Sequence, residues 1–510
     1  MLGTQLAELV GTDLDGLAET LDVVAGVDDA LVHGLARLDE RSTGALAALA
    51  GAVAATPLGP RVAEAVEKIA AGSVAGEHLV ALAGARTALF GAVHDALLAR
   101  FDAALGRTRD AWPEPASPPA PPPVAPAPDA PAPVAPAAPG GVAENLLGGC
   151  RSWLHELATA GWRGVDQDLV SASGQLIESA LAEPGLRRLA VLLDGLAAEL
   201  RALCPVAAAD RLPVRRWADL WARALLLSQP PPRSAGGAQP EPVFGAGEHP
   251  QQPSEGEGAA TAVSGRLLIL GVDVHEHGTA VQVQVHGVLE PAGGGPPRLV
   301  RTGVAAAKVD TIVGPAVWRL LRGCPVLLRA LAEHRTLDVT DLPLLPGGDL
   351  VWHDDRAGAG EVADPFATAR VLLATAHAPA VPPLQRHPVR LAEPVLLEGY
   401  ATGTGEDGEL TLELGGHRLD VATDRLPACG PLTAELVAAS TACLGLVRWD
   451  GGRWMVQPLA VQGTVKRKPV AAHGGDWALG PTDAKVVKAQ AKAGDAVAVL
   501  RERAGRLLRK

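Results

Sequence analysis

Apolar residues recur at helical spacing through the first hundred positions. In "GPRVAEAVEKIAAG", Pro60 opens a segment whose Val62, Ala65, Val66 and Ile69 share one face, and Gly72 ends it. A helical bundle over residues 1–110 is the expectation. The same period returns after residue 142. "EPGLRRLAVLLDGLAAELRAL" starts a helix at Pro184 and aligns Leu186, Leu189, Leu192, Leu193, Leu196 and Leu200. "LPVRRWADLWARALLLS" then sets Trp217, Leu220, Trp221, Ala224 and Leu225 along one face, which makes 142–227 a second helical module. Arginines beside tryptophans also fit base stacking. Trp burial dominates core energetics, however, and predicts that the indoles anchor the helix while Arg215, Arg216 and Arg223 stay solvated.

From Gly265 to Gly463 the period falls to two, and hairpins can be registered by pairing alone. With Gly415-Gly416 as a turn, Leu412 faces Leu419, Leu410 faces Val421 and Glu413 faces Arg418. With Gly451-Gly452 as a turn, Trp449 faces Trp454, Val447 faces Val456 and Asp450 faces Arg453. "GPAVWRLLRGCPVLLRALAEH" interrupts the strands with a helix starting at Pro315 and kinked or broken at Gly323-Cys324-Pro325, and "GPLTAELVAASTACLG" supplies another. At the end of the chain Thr482 caps a helix whose stripe runs Val486, Ala489, Ala493, Val497, Leu500, Ala504 and Leu507. The fold class expected is multidomain: two all-α helical modules followed by an α+β domain with antiparallel hairpins (265–463) and a basic tail with a C-terminal basic helix (464–510).

Two low-complexity stretches separate these parts. Residues 111–141 are Pro/Ala-rich and predict a semi-rigid polyproline spacer of up to about 90 Å. Residues 228–264 mix Pro, Gly and Gln and predict a more flexible linker.

Composition changes this picture little. The net charge of -12 opposes generic nucleic-acid binding, yet eleven Lys or Arg face four acids between Thr464 and Lys510. On that tail Lys485, Lys488, Lys492, Arg501, Arg503, Arg506 and Arg509 are the candidate partner-binding residues. Five scattered cysteines without a C-x-x-C pair argue against a disulfide framework or structural zinc and fit a reducing cytoplasm. The acidic start lacks a signal peptide's positive charge, and the Ala-rich run Thr43 to Thr56 is too short to span a bilayer.

One stretch carries tempting chemistry. "GVDVHEHGTAVQVQVHGVL" places Asp273, His275 and His277 as D-x-H-x-H behind an apolar run, like the first-strand metal signature of amidohydrolases. Chelation needs both imidazoles on one continuous strand face. If His277-Gly278 is instead a hairpin turn, Val274 pairs with Val281, Val272 with Val283, Leu270 with Val285, and Asp273 faces Gln282. The two rings then diverge, and the later ligands of an eight-fold barrel are missing: Lys308 follows too soon and His334 falls at a helix end. His353, Asp354 and Asp355 in "LVWHDDRAG" read as turn chemistry, with His353 and Asp354 as further ligands only under the metal alternative. "GTGEDG" (403–408) matches G-x-G-x-x-G but precedes a strand, and Glu406 and Asp407 repel phosphates. The sequence holds neither a P-loop nor a G-x-S-x-G elbow. No catalytic, cofactor-binding or metal-ligating residue is therefore assigned.

"RLVRTGVAAAKVDTIVGPAVWRLL", "DPFATARVLLATAHAPAVPPLQRHPVRLAEPVLLEGY" and the stretch from Gly271 resemble a group of uncharacterised actinobacterial proteins. "LLGGCRSWLHELATAGW" through "LPVRRWADLWARALLLS" is similar to the helical body of bacterial SWIM zinc-finger family proteins. The C-x-C…C-x-H zinc motif of that family is absent here, so zinc binding does not carry over. The resemblance implies a role beside MoxR-type ATPases and von Willebrand A-domain proteins. The functional expectation is a non-enzymatic cytoplasmic scaffold or adaptor with a protein partner, an ATPase among the candidates, and no membrane association. The alternatives are a metal-dependent hydrolase at the Asp-x-His-x-His site and a nucleic-acid-binding accessory protein acting through the basic tail.

Overall fold

The computed structural model describes residues 1–11, 14–112, 142–229, 260–276, 280–309, 311–405, 408–465 and 467–493. Both low-complexity stretches fall almost wholly outside these residues. The first helix, α1 (Gly3–Val10), is followed by α2 (Leu17–His33), α3 (Glu40–Ala52), α4 (Gly59–Ala70) and α5 (Gly76–Leu105), and then by α6 (Val142–Ala160), α7 (Gln167–Ser171), α8 (Ser173–Ala182), α9 (Arg187–Leu203) and α10 (Val214–Leu227). The chain divides into two compact units, a helical one whose described residues are 15–93 and 142–229 and a sheet-containing one whose described residues fall in 1–14, 94–112 and 260–493.

This division corrects two expected boundaries. Residues 1–110 and 142–227 do not make two bundles: Leu31, Leu46, Val62 and Leu82 share one core with Trp153, Trp162, Leu193, Trp217 and Trp221. Each set of helices has an apolar stripe too small to close a core of its own, and pooling them buries both. Conversely, α1 and the end of α5 leave the helical unit, and Leu6, Leu9 and Phe101 pack against strand residues. An amphipathic helix displays its apolar face in sequence but not what that face will cover.

Within the helical unit the indoles are core anchors, as expected. Trp217 and Trp221 are fully buried, and their N–H groups donate to Glu199 Oε2 and to the Leu154 carbonyl. Of the flanking arginines, Arg215 and Arg216 are exposed, Arg216 pairing with Glu199 at 2.6 Å, while Arg223 is half-buried instead of solvated. A buried charge lies nearby, where Arg86 reaches Asp28 at 2.5 Å and Asp219 at 2.6 Å.

The other unit starts with β1 (Thr261–Glu276), β2 (Ala280–Pro291) and β3 (Arg298–Ala307), then α11 (Pro325–Ala332), β4 (Arg335–Leu344), β5 (Asp349–Leu350) and β6 (Ala357–Val362). Before α11, Gly314–Leu321 is a 3-10 helix, so the predicted break at Gly323-Cys324-Pro325 is real. β1 pairs with β2 along its length and with β4 over its first half, while β3 runs parallel to β5, which also meets β4. The strands therefore close in the order β1-β2-β3-β5-β4, and β6 adds to β4 outside the ring.

The chain then repeats this plan. After α12 (Pro365–Leu372) come β7 (Ala392–Glu398), β8 (Ala401–Thr404), β9 (Leu410–Leu414), β10 (His417–Val421), α13 (Ala434–Ala438), β11 (Ser440–Asp450), β12 (Arg453–Val465) and β13 (Lys468–His473), and α14 (Ala484–Ala493) ends the described chain. β7 and β8 act as one bent strand, interrupted at Gly399, with β7 on β11 and β8 on β9. β10 runs parallel to β12, and β12 pairs with β11. Both rings are five-stranded, with the third strand parallel to the fifth and a helix between the third and the fourth. That connectivity is the OB-fold barrel, and the α+β region is two such barrels in tandem.

The predicted hairpins at Gly415-Gly416 and Gly451-Gly452 have the expected register, with positive φ at all four glycines as a type I′ turn requires. Glu413 and Arg418 pair at 2.7 Å. Arg453 turns away from Asp450 to Glu409 and Asp420, and Asp450 takes Arg425. Strand register follows from backbone pairing, whereas a long charged side chain chooses among all carboxylates within reach. In the "GTGEDG" stretch the described residues lead into strand β9, while Glu406 and Asp407 lie outside the description. "GPLTAELVAASTACLG" gives a helix of five residues only, because β11 begins at Ser440. At α14 the cap is Asp483 instead of Thr482: its carboxylate accepts from the Lys485 and Val486 N–H groups. The C-terminal helix beyond Ala493 lies outside the described residues.

Candidate functional site

Alternation along β1 sends Val272 and Val274 into the first barrel and Asp273 and His275 outward. The outer faces of the barrels meet there. Leu270, Val288 and Leu299 from the first share a core with Leu396, Leu444 and Ala460 from the second and with Phe366 of α12. The approach is close, since a Cβ at Gly271 would lie 2.6 Å from that of Leu459.

In this seam Asp273 is 1% exposed. Its carboxylate accepts from Arg448 Nη2 at 2.9 Å and Gln457 Nε2 at 2.7 Å, and His275 Nε2 lies 2.8 Å away. Arg448 Nε donates to Gln457 Oε1 at 2.6 Å, which closes a ring of three side chains. Burial pushes the Asp273 carboxyl up, but the His275 hydrogen bond and charge, with Arg448 and Gln457, outweigh it and hold the group well below the usual carboxylate range. His286, opposite Gly271 on β2, is buried with Nε2 unpartnered. Desolvation brings its pKa down to about 4 against the opposing pull of Asp273, so the ring is neutral at physiological pH.

The expected hairpin is corrected in register. Val274 pairs with Val283, Val272 with Val285 and Asp273 with Gln284, each two residues beyond the expected partner, and a bulge displaces Leu270. A slip of two keeps every side chain on its face, so valine still meets valine. His277 lies outside the described residues. Of the other runner-up ligands, His275 is at Asp273 but His353 and Asp354 are not. Asp354 caps α11, accepting from the Val326 and Leu327 N–H groups and the Trp352 indole, and His353 precedes it at a 3-10 turn. Among the described residues no group of three or more His, Cys, Asp or Glu side chains could hold a metal ion. A cation at Asp273 would have to displace Arg448, leaving a guanidinium buried without its partner.

Of the basic tail, Lys485 and Lys488 are exposed on α14, whereas the Lys492 side chain and Arg501, Arg503, Arg506 and Arg509 lie outside the described residues. No described helix is long and apolar enough to cross a membrane. The sequence reading missed Arg448, Gln457 and His286. The first two are separated from Asp273 by more than 170 residues, and only the barrel duplication brings them to it. A search of protein-family models, of curated proteins and of solved structures finds no match to this chain.

Proposed function

We propose that the chain is a non-enzymatic cytoplasmic adaptor or scaffold that holds a protein partner by strand addition. The observation that carries this reading is the edge of the first barrel. Among the described residues β6 pairs with β4 alone, and its "AGAGEV" side chains are small or exposed, with Val362 at 68%. A strand with one free row of backbone donors and acceptors is a template for an extended segment of another chain. The adaptor reading is favoured over a hydrolase because Arg448 and Gln457 occupy the Asp273 carboxylate. It is favoured over nucleic-acid binding because the β2–β3 outer face, which OB barrels use for such ligands, is covered by the second barrel. The resemblance of the helical part to SWIM-family proteins makes a MoxR-type ATPase, or the von Willebrand A-domain protein beside it, the partner to look for.

The test is affinity purification from the native host with the full chain and with an Ala359→Lys/Val362→Lys variant, whose two positions are exposed. A specific partner kept by the wild type and lost by the variant is expected. A partner retained equally by the variant would overturn the strand-addition reading. The absence of any partner, together with metal-dependent hydrolysis by the pure protein, would overturn the adaptor itself. Deleting residues 484–510 reads out the contribution of Lys485, Lys488 and the rest of the basic tail.

A further inference from the structure

After β13 the chain leaves the second barrel and lies on the first. Trp477 and Ala478 pack with the first barrel's core, and a Cβ at Gly475 would lie 3.1 Å from that of Leu331 on α11. This strap is fixed at its start by three polar side chains. His334, at positive φ between α11 and β4, puts Nε2 2.7 Å from Asp476 Oδ1, and Asp476 Oδ2 accepts from the His473 N–H at 3.0 Å. The rings of His334 and His473 lie 4.2 Å apart, and Phe366 meets His473 edge-on at 5.8 Å. A cavity of about 20 Å³, room for roughly one water, adjoins both rings.

We propose that His334, His473 and Asp476 form a proton-operated latch that holds the strap on the first barrel within a band of pH. The two imidazoles are built for opposite charge states. His334 faces the Asp476 carboxylate, and that hydrogen bond, outweighing burial, raises its pKa. His473 is 7% exposed, and desolvation lowers its pKa to about 4. The charged groups around the pair are few. Arg335 lines the cavity but is tied to Glu333 at 2.6 Å, Asp364 is engaged at the N-cap of α12, and β1 contributes Ile269 to Val272.

The sign follows from linkage. A docked His334 holds its proton more tightly than a free one, so docking weakens as pH rises above the ordinary histidine value of about 6.5. A docked His473 refuses the proton that a free one accepts, so docking weakens as pH falls from about 6.5 toward 4, by about tenfold per pH unit. Acid that charged both rings in place would set two imidazolium ions against each other. Docking is therefore strongest near neutral pH and falls on both sides.

Hydrogen exchange of the full chain, followed by mass spectrometry on the peptide spanning 474–480 and corrected for the intrinsic rate at each pH, tests this directly. Protection should peak near pH 6.5, drop several-fold by pH 5.5 and fall more steeply below that. His473→Phe, which keeps an aromatic ring against Phe366, should remove the acid limb, and Asp476→Asn should flatten the alkaline limb. A peptide from α9 should show neither limb. Titration of the His334 and His473 ring protons in the wild type by NMR checks the same claim without substitution, with His334 above 6.5 and His473 below it. A pH-independent strap, or an acid limb that survives in His473→Phe, would overturn the latch.

Discussion

The helical unit and the tandem barrels each bury charge, and they do so with different chemistry. In the helices Arg86 is held by two carboxylates, Asp28 and Asp219. Burial pulls down the Arg86 pKa and the two acids more than restore it, so the guanidinium stays charged, while at Asp28 burial outweighs the pull of Arg86 and raises the carboxyl above the usual range. In the barrels Asp273 is held by Arg448 and Gln457, with His275 at the rim, His286 beside it, and His473 and His334 elsewhere between the barrels. The helical unit locks its core around an arginine that stays charged, whereas the barrels place histidines in theirs. Acid should therefore act on the second unit first.

The largest expected effect tests the helical side. Arg86→Met leaves Asp28 buried without a cation and should cost the helical unit about 3–5 kcal/mol in chemical denaturation. A loss under 1 kcal/mol would mean that Arg86 is not the group that holds the cluster. In the barrels Arg448→Met should cost about 3 kcal/mol for the same reason. Asp273 then faces only Gln457 and His275, so metal content after purification should also be measured on this variant. Stoichiometric metal appearing there would show that Arg448 occupies a latent cation site.

The pH dependence sharpens the contrast. His286 and His473 both fall to about 4 in the folded chain. Each adds stability that is complete above the unfolded value of about 6.5 and is lost as pH falls from there toward 4, on the order of 3 kcal/mol per imidazole. His334 is raised and has the opposite sign: its contribution is complete below about 6.5 and lost as pH rises through the folded value. Denaturation curves at pH 7.5 and 5 should show the barrel transition weakened and the helical one little changed, and His286→Leu should reduce the difference. Smaller still, Asp354→Ala removes the cap of α11 and should cost about 1 kcal/mol in barrel stability by the same denaturation assay.

The two regions also differ in what the sequence disclosed. Hairpins at Gly415-Gly416 and Gly451-Gly452 were legible because a tight glycine turn and alternating side chains settle register locally. At His277 the same logic found the right face and the wrong register, since a slip of two leaves valine opposite valine. Helix periodicity located α4, α9 and α10 but could not show that 15–93 and 142–229 share a core, nor that α1 belongs to a barrel. The barrel duplication left no local mark, because the first ring begins with the unbroken β1 and the second with the bent pair β7 and β8. The candidate site was half legible. D-x-H placed Asp273 and His275 on one outward face, but the partners that decide their chemistry, Arg448 and Gln457, sit on strands that only the second barrel's closure brings near.

The D-x-H stretch is a structural seam between two barrels. A double-mutant cycle of Asp273→Asn and Arg448→Met, read from the barrel transition, tests it most directly. The two positions should show a coupling energy of at least about 1.5 kcal/mol. A coupling near zero, with both single variants as stable as the wild type, would contradict it.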